Sequence, residues 1–328
     1  MTILSNSLCK LKVLQTYVSV RSRQLTFSGP SILISRYAGL GDVICSIPTV
    51  KAIRSQNPKS FIAFQTYEPF TPIIQTLHEV NLVIGHQTNI APYFNQIHHL
   101  KGSDEGSSHI SPKHIVDEYA ELTKVVLKDR QPKIPSIPQK FQDLATQLLP
   151  TPTKLRIAVH TGPTWKVREW KPQFWDILAT QLICNLDVEI IQIGTDAIVN
   201  AAPRKAHRVK GAIDCIKEQN ILITAAILQS CHLLIGIDSG LLHLAGAIGT
   251  PTVGLFGAIN PNYRLPPNTP SSAATSSVPC LGCHHKQPPT HWQTNCPHQI
   301  RCMNELTPLQ VFNLAKHSLA NIKIHPKT

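Results

Sequence analysis

Acidic residues are what this chain has least of. It carries 19 Asp and Glu against 31 Lys and Arg, a formal net charge of +12. Past Asp238 only Glu305 is acidic, so that whole stretch cannot offer carboxylates to a hard metal ion. No Asp-x-Asp pair occurs anywhere, which argues against magnesium or manganese held by paired carboxylates. No apolar run reaches the ~18 to 20 residues that span a bilayer. The longest candidate, "ILITAAILQSCHLLIGI", is interrupted by Gln229, Ser230 and His232, and reads as a buried helix followed by a buried strand. The glycine pair Gly39 and Gly41 lacks a third partner, because Ile44 stands where a dinucleotide fingerprint needs glycine, and no Walker A pattern exists. A secretory apolar region is also missing at the N-terminus.

The basic excess favours an anionic partner, such as a nucleotide, a phospholipid surface or a nucleic acid. A basic soluble protein with no polyanion partner is the plainer alternative. Residues 1–30 contain Lys10, Lys12, Arg21 and Arg23 but no acid. That composition suits a transit peptide, a disordered extension or a misplaced start codon, and the last two are favoured.

From residue 31 onward, strand-like and helical runs alternate. "SILIS" reads as a strand, "GDVICSIPTVKAIR" as helix with Pro48 starting a new turn or kinking one, and "FIAFQT" as a second strand. "FTPIIQTL", "VNLVIG" and "IVDEYAELTKVVL" follow as helix, strand and helix, the last preceded by the polar loop "HLKGSDEGSSHISPKH". Proline-rich stretches, "RQPKIPSIPQK" and "LPTPTK", then suggest an inter-domain connection. The alternation restarts at "LRIAVHTG". The fold class is therefore α/β, with two doubly wound domains at 31–150 and 151–328.

Ligands of open α/β sheets collect beyond the carboxyl ends of strands, which directs attention to particular loops. In Gly39-Leu40-Gly41-Asp42 the glycines allow a tight turn, and Asp42 is either a helix N-cap or a catalytic carboxylate. In "GIDSGLLHLAGAIGTPTVGLFG", Asp238 ends a buried strand and Ser239-Gly240 open a helix, with His243 in its first turn. Free amides at a helix start, a hydroxyl and a glycine that permits close approach make a seat for a diphosphate. The competing reading is a capping Asp238 and a core-edge His243. In "HTGPTWKVREWKPQFW", Lys166, Arg168 and Lys171 can neutralise a leaving diphosphate or simply form a solvated basic loop.

Nine cysteines are present. Cys9, Cys45, Cys184, Cys215 and Cys231 are scattered and read as buried thiols. Cys280, Cys283, Cys296 and Cys302 cluster within 280–302, with His284, His285, His291 and His298 nearby. Their spacing leaves a structural zinc site, disulfide pairs and free thiols all open, and disfavours a catalytic role.

The chain resembles glycosyltransferase family 9, the heptosyltransferase-like enzymes of lipopolysaccharide assembly. "GLGDVICSIPTVKAIR", "TWKVREWKPQFW" and above all "IGIDSGLLHLAGAIGTPTVGLFGAINP" carry the resemblance. It covers residues from about Ser31 to the C-terminus. The resemblance implies a GT-B fold, two Rossmann-like domains facing a cleft, with the acceptor held by the first and a nucleotide sugar by the second. It implies that Asp42 is the general base, with Gly39 and Gly41 in the acceptor-side loop. Asp238, Ser239, Gly240 and His243 match the motif that holds donor diphosphate and sugar. Arg168 stands where the family usually has lysine, and the inserted Lys171 leaves open which cation meets the phosphate. Asp196 falls where the family places a ribose-binding acid. The implied activity is inverting transfer, with no metal needed for catalysis, from an ADP-heptose-like donor to a lipopolysaccharide core or similar glycan. A cytoplasmic protein in peripheral contact with the inner face of the membrane would suit the charge. Two other classes are weighed: a nucleic-acid-binding protein, disfavoured by dispersed basic residues and the lack of an aromatic-basic motif, and a GT-B-fold sugar-nucleotide epimerase.

Overall fold

The computed structural model describes residues 18, 20–86, 89–102, 113–199, 201–217, 220–286 and 296–321. Residues 1–17, most of the polar loop before residue 113, and the 287–295 part of the Cys-rich loop lie outside the described residues, as do Cys9 and His291.

The first sheet holds β1 (Ile32–Ser35), β2 (Ile62–Thr66), β3 (Leu82–Gly85) and β4 (Gln96–His99), in the order β3-β2-β1-β4. All its pairings are parallel. Two short helices follow β1: α1 (Leu40–Cys45) and α2 (Ile47–Gln56). Pro48 sits in the first turn of α2, where its missing N–H costs no intrahelical bond, so it starts a new helix rather than kinking an old one. Farther on, α3 (Ile115–Thr123) ends at Lys124, which adopts a left-handed conformation with φ 57°.

The second sheet holds β5 (Leu155–His160), β6 (Val188–Gly194), β9 (Ile213–Ile216), β10 (Leu233–Ile237), β11 (Thr252–Leu255) and β12 (Ser271–Ala274). Its order is β12-β11-β10-β5-β6-β9, again all parallel. Strand order reverses between β5 and β10, which makes that junction the topological switch point. An antiparallel hairpin of β7 (Ala197–Val199) and β8 (Ala202–Arg204) interrupts the run after β6. Helices α5 (Pro172–Leu186), α6 (Ile221–Gln229), α7 (Gly240–Ala247) and α8 (Pro308–Ala320) cover this half. Strands β1, β2 and β10 are buried along their whole length, as expected for parallel strands covered on both faces.

Two details move the expected boundaries. Residues 20–24 are helical and dock on the first sheet: Val20 is fully buried beside Leu33, Phe61 and Ala63. The Gln24 amide donates to the Tyr93 carbonyl, and Gly29 N–H donates to the Lys59 carbonyl. The described part of the basic extension, residues 20–30, thus belongs to the first domain, because burying an aliphatic side chain outweighs the local polarity. The proline-rich connection is also no free linker. Ile134 and Ile137 are buried, Ile134 N–H donates to the Ala247 carbonyl, and the helix α4 (Gln139–Leu148) packs on α6 of the second half. One hydrophobic cluster runs through both halves, from Ile32 and Val43 to Leu234 and Leu242.

Candidate active site

Each sheet delivers its polar residues at the carboxyl ends of its strands. Arg36 is the first residue past β1 and is 2% exposed. Its guanidinium donates to the Leu100 carbonyl, lies 5.4 Å from the Tyr119 ring and reaches Asp42 at 3.1 Å. The Asp42 carboxylate, in the first turn of α1, is thereby held at the mouth of the first domain with about a third of its side chain open to solvent. It turns back over the loop, since a Cβ on Gly39 would stand 3.5 Å from Asp42 Oδ2.

Asp238 follows β10 directly and Ser239 is the N-cap residue of α7. The cap makes no side-chain hydrogen bond to the helix. Instead, Ser239 Oγ lies 3.0 Å from Nδ1 of His160, the last residue of β5. Asp238, whose side chain is 6% exposed, pairs with Arg168 at 3.3 Å, and the Arg168 guanidinium lies 4.1 Å from the Trp165 ring centre. So the switch point between β5 and β10 carries a hydroxyl, an arginine and a helix start that no side chain caps.

The two helix starts meet. A Cβ on Gly41 would fall 2.6 Å from His243 Cδ2, and a Cβ on Gly240 would fall 2.6 Å from Leu40 Cβ. Only glycine lets α1 and α7 approach this closely. His243 Nδ1 lies 3.4 Å from the buried Cys45 sulfur. Burial holds the His243 imidazole below the usual range, while Asp238 and Asp42 pull the other way. His243 therefore sits neutral between the carboxylates of the two domains. His160, fully buried, is pushed down to about 4 by desolvation. His114 is likewise near 4, chiefly by burial. It joins the halves from the other side: its Nδ1 accepts from Val116 N–H and its Nε2 lies 3.0 Å from the Leu265 carbonyl.

The other expected residues take more peripheral places. Lys166 is two-thirds exposed and stands 3.5 Å from Glu169, which also binds Arg204. Lys171 is the N-cap of α5 and lies 5.0 Å from the Phe174 ring centre. Of the loop's cations, Arg168 is thus the one held against Asp238. Asp196 follows β6, two strands from β10 in the sheet and so roughly 10 Å away by strand spacing. It pairs with Arg208 and accepts Ala206 N–H, and Arg208 holds its carboxyl below the usual range.

The clustered cysteines are all free thiols, so the disulfide alternative is not realised. Cys280 and Cys302 pack with Trp170 and Val278, while Cys283 and Cys296 pack with Val167 and Trp165. They form an apolar layer beneath the loop that carries Arg168. Among the described residues no three His, Cys, Asp or Glu side chains converge closely enough to hold a metal ion.

Sequence reasoning passed over Arg36, His160 and Arg264. Each is buried at the site. Arg264 ends a short helix (Pro261–Arg264) that follows β11 and is close enough to bear electrostatically on His243, His114 and Cys45. The first two had a readable signal: a polar residue at or just past the end of an apolar strand, as Asp238 also is.

Two Rossmann-like domains meeting at their strand ends, with the starts of α1 and α7 in contact, define a GT-B architecture. The chain belongs to glycosyltransferase family 9 (heptosyltransferase), whose model matches residues 84–292. Lipopolysaccharide heptosyltransferase 1 of Pseudomonas aeruginosa is 28% identical over 126 residues, which is 38% of this chain and 35% of that protein. The chain thus aligns with about a third of the length of that curated relative. Among solved structures, the family 9 glycosyltransferase of Veillonella parvula is 15% identical with a TM-score of 0.70, covering 89% of this chain and 98% of its own. The dodecameric iron-containing heptosyltransferase TibC, from enterotoxigenic Escherichia coli and solved with ADP-D-beta-D-heptose, is 17% identical with a TM-score of 0.72, covering 89% and 76%. No helix among the described residues is long and apolar enough to cross a membrane.

Proposed function

We propose that the chain transfers a sugar, heptose by its family, from a nucleoside diphosphate to a hydroxyl of a lipopolysaccharide core or similar glycan, inverting the anomeric centre. The observation that supports this reading is the contact of the two helix starts, Gly41 against His243 and Gly240 against Leu40, which brings the loop carrying Asp42 to the start of α7. In the reaction, the acceptor hydroxyl gives its proton to Asp42 while its oxygen attacks the anomeric carbon. The bond from that carbon to the diphosphate oxygen breaks, and its electron pair leaves with the diphosphate. The start of α7, the Ser239 hydroxyl and Arg168 stabilise the charge that develops there. Attack from the face opposite the leaving group accounts for inversion. On this reading the cation and the helix start take the charge-stabilising role without a metal, while Asp42 pairs with Arg36 and Asp238 with Arg168. Asp196 serves the ribose. The net charge of +12 supports peripheral contact with anionic headgroups at the inner face of the cytoplasmic membrane.

The test is a melting-temperature panel of ADP-, UDP- and GDP-sugars on wild type and Asp42→Asn. Asparagine keeps an oxygen for Arg36, which alanine would strand. A nucleotide at about 100 times its Kd stabilises the fold by about 2.7 kcal/mol. One base class should raise the melting temperature of both proteins, while donor turnover falls about 10²- to 10⁴-fold in the variant. A chain that no nucleotide sugar stabilises is not this enzyme.

A further inference from the structure

Three aromatic side chains stand at the carboxyl end of the first sheet, each just past a different strand. Tyr37 follows Arg36 after β1, Tyr67 follows β2, and His86 follows β3. β1, β2 and β3 are adjacent and in register, Ser35 opposite Gln65 and Thr66 opposite Gly85, so the rings line up along one rim. Their centres are 6.2 Å apart for Tyr37 and Tyr67, 6.4 Å for Tyr37 and His86, and 4.6 Å for Tyr67 and His86, and the ring planes are inclined to one another by 56°, 61° and 72°. Tyr37 and Tyr67 are 40% and 36% exposed.

These rings are held, not loose. Gln65, buried, donates its amide to the Gly85 carbonyl and accepts the Tyr37 hydroxyl at 2.6 Å. His86 Nδ1 meets the Glu68 carboxylate at 3.1 Å. Rings buried for stability alone would lie under the sheet's covering helices, as Phe64 and Tyr119 do. Here the fold spends hydrogen bonds on keeping aromatic surface open to water, which marks a surface meant to be covered.

We infer that Tyr37, Tyr67 and His86 form an angled aromatic platform for the acceptor's pyranose ring, which stacks on one ring face while the inclined neighbours meet its edge. This rests on the transferase reading above. A pyranose presents a face of polarised C–H bonds that suits the negative face of an aromatic ring. Its rim of hydroxyls suits the polar edge supplied by Glu68 and His86. The platform lies on the first domain, on the side of Asp42: Tyr37 is the next residue after Arg36, which fixes the Asp42 carboxylate. The donor seat is on the opposite helix, α7. The chemistry also selects. Glu68 presents a carboxylate at the rim, so the ring it accepts is a neutral sugar, and one bearing a phosphate there would be repelled.

Saturation-transfer NMR on the full chain tests this, with the nucleoside diphosphate that raises the melting temperature present. The probes are the methyl glycosides of glucose, mannose, galactose and L-glycero-D-manno-heptose, with irradiation of the aromatic protons. Saturation should reach the ring C–H protons of at least one glycoside. It should fall roughly threefold to tenfold in Tyr67→Ala and His86→Ala and persist in Tyr67→Phe, which keeps the ring and guards against a folding artefact. Equal transfer in wild type and both alanine variants would overturn the assignment. So would a lack of transfer to every glycoside while the nucleotide still stabilises the chain. If no nucleotide stabilises it, the enzyme reading fails first and the acceptor role goes with it.

Discussion

The contact between Gly240 and Leu40 gives a prediction whose size can be worked out. In Gly240→Ala the new methyl would stand 2.6 Å from Leu40 Cβ and 3.1 Å from the Gly41 backbone nitrogen. Carbon atoms rest about 3.5–4.0 Å apart, so α1 and α7 must separate by about 1 Å. Neither neighbour can swing aside, since one atom is backbone and the other is fixed to it. Overpacking of this kind costs roughly 1–3 kcal/mol, and the better helix propensity of alanine returns at most about 1 kcal/mol. A net loss of roughly 1–2 kcal/mol lowers the melting temperature by about 2–8 °C. The effect on turnover should be larger, because a misplacement of about 1 Å between base and reacting carbon can cost about 10²-fold. Gly249→Ala is the matching control. Gly249 has φ +84° and no atom within 4 Å of a would-be Cβ. Alanine there costs a similar ~1–2 kcal/mol through backbone strain alone, with no reason to move Asp42. The measurements are calorimetric unfolding and kcat on both variants. If Gly240→Ala turned over like wild type, or if Gly249→Ala lost as much activity as Gly240→Ala, the two helix starts would not be the reacting interface.

Acid should loosen the fold over a defined window. His160 and His114 have folded values near 4 against an ordinary 6.5, so the unfolded chain takes up protons first as the pH falls. Their stabilising contribution is complete above about pH 6.5 and is lost as the pH drops toward 4, by up to about 3 kcal/mol per residue. Melting temperature against pH should show this slope, and His160→Gln should flatten it; an unchanged slope in that variant would show that His160 is not the group responsible. Arg168→Ala should cost about 3 kcal/mol, near the low end for breaking a buried pair because Arg168 keeps a fifth of its side chain exposed. It should also weaken nucleotide binding, which Arg168→Lys partly restores; an unchanged nucleotide Kd in the alanine variant would remove Arg168 from the donor seat.

Most of the fold was legible because its interior strands are written as short, mainly apolar runs. "LLIGI" and "IAFQT" are buried at every position and too short for a typical buried helix. The edges were not legible. β4, "QIHH", is exposed or half-exposed throughout, so no burial pattern shaped its sequence. β12, "SSAA", pairs through its backbone with β11 and owes little to its small side chains. The proline-rich connection misled for a related reason: composition reports local stiffness, while Ile134 and Ile137 are fixed by a tertiary pocket that no local window contains. At the site, Asp42, Asp238, Ser239 and His243 announced themselves by glycines and strand ends. Arg36, His160 and Arg264 matter through partners far off in sequence, at Leu100, Ser239 and His243, and only the fold brings those together.

The charge pattern of the assembled site bears on how the proposed donor would be received. Arg36 is committed to Asp42 and Arg168 to Asp238, so each domain presents a neutral pair. His160, His243 and His114 stay uncharged because burial makes their protonation costly. Arg264 adds a buried cation to this set. On the proposed reading, a diphosphate's oxygens would compete with Asp238 for a guanidinium that stacking on Trp165 keeps in place. Because His160 is neutral, one tautomer donates from Nδ1 to Ser239 Oγ and frees the serine proton to point at a phosphate oxygen.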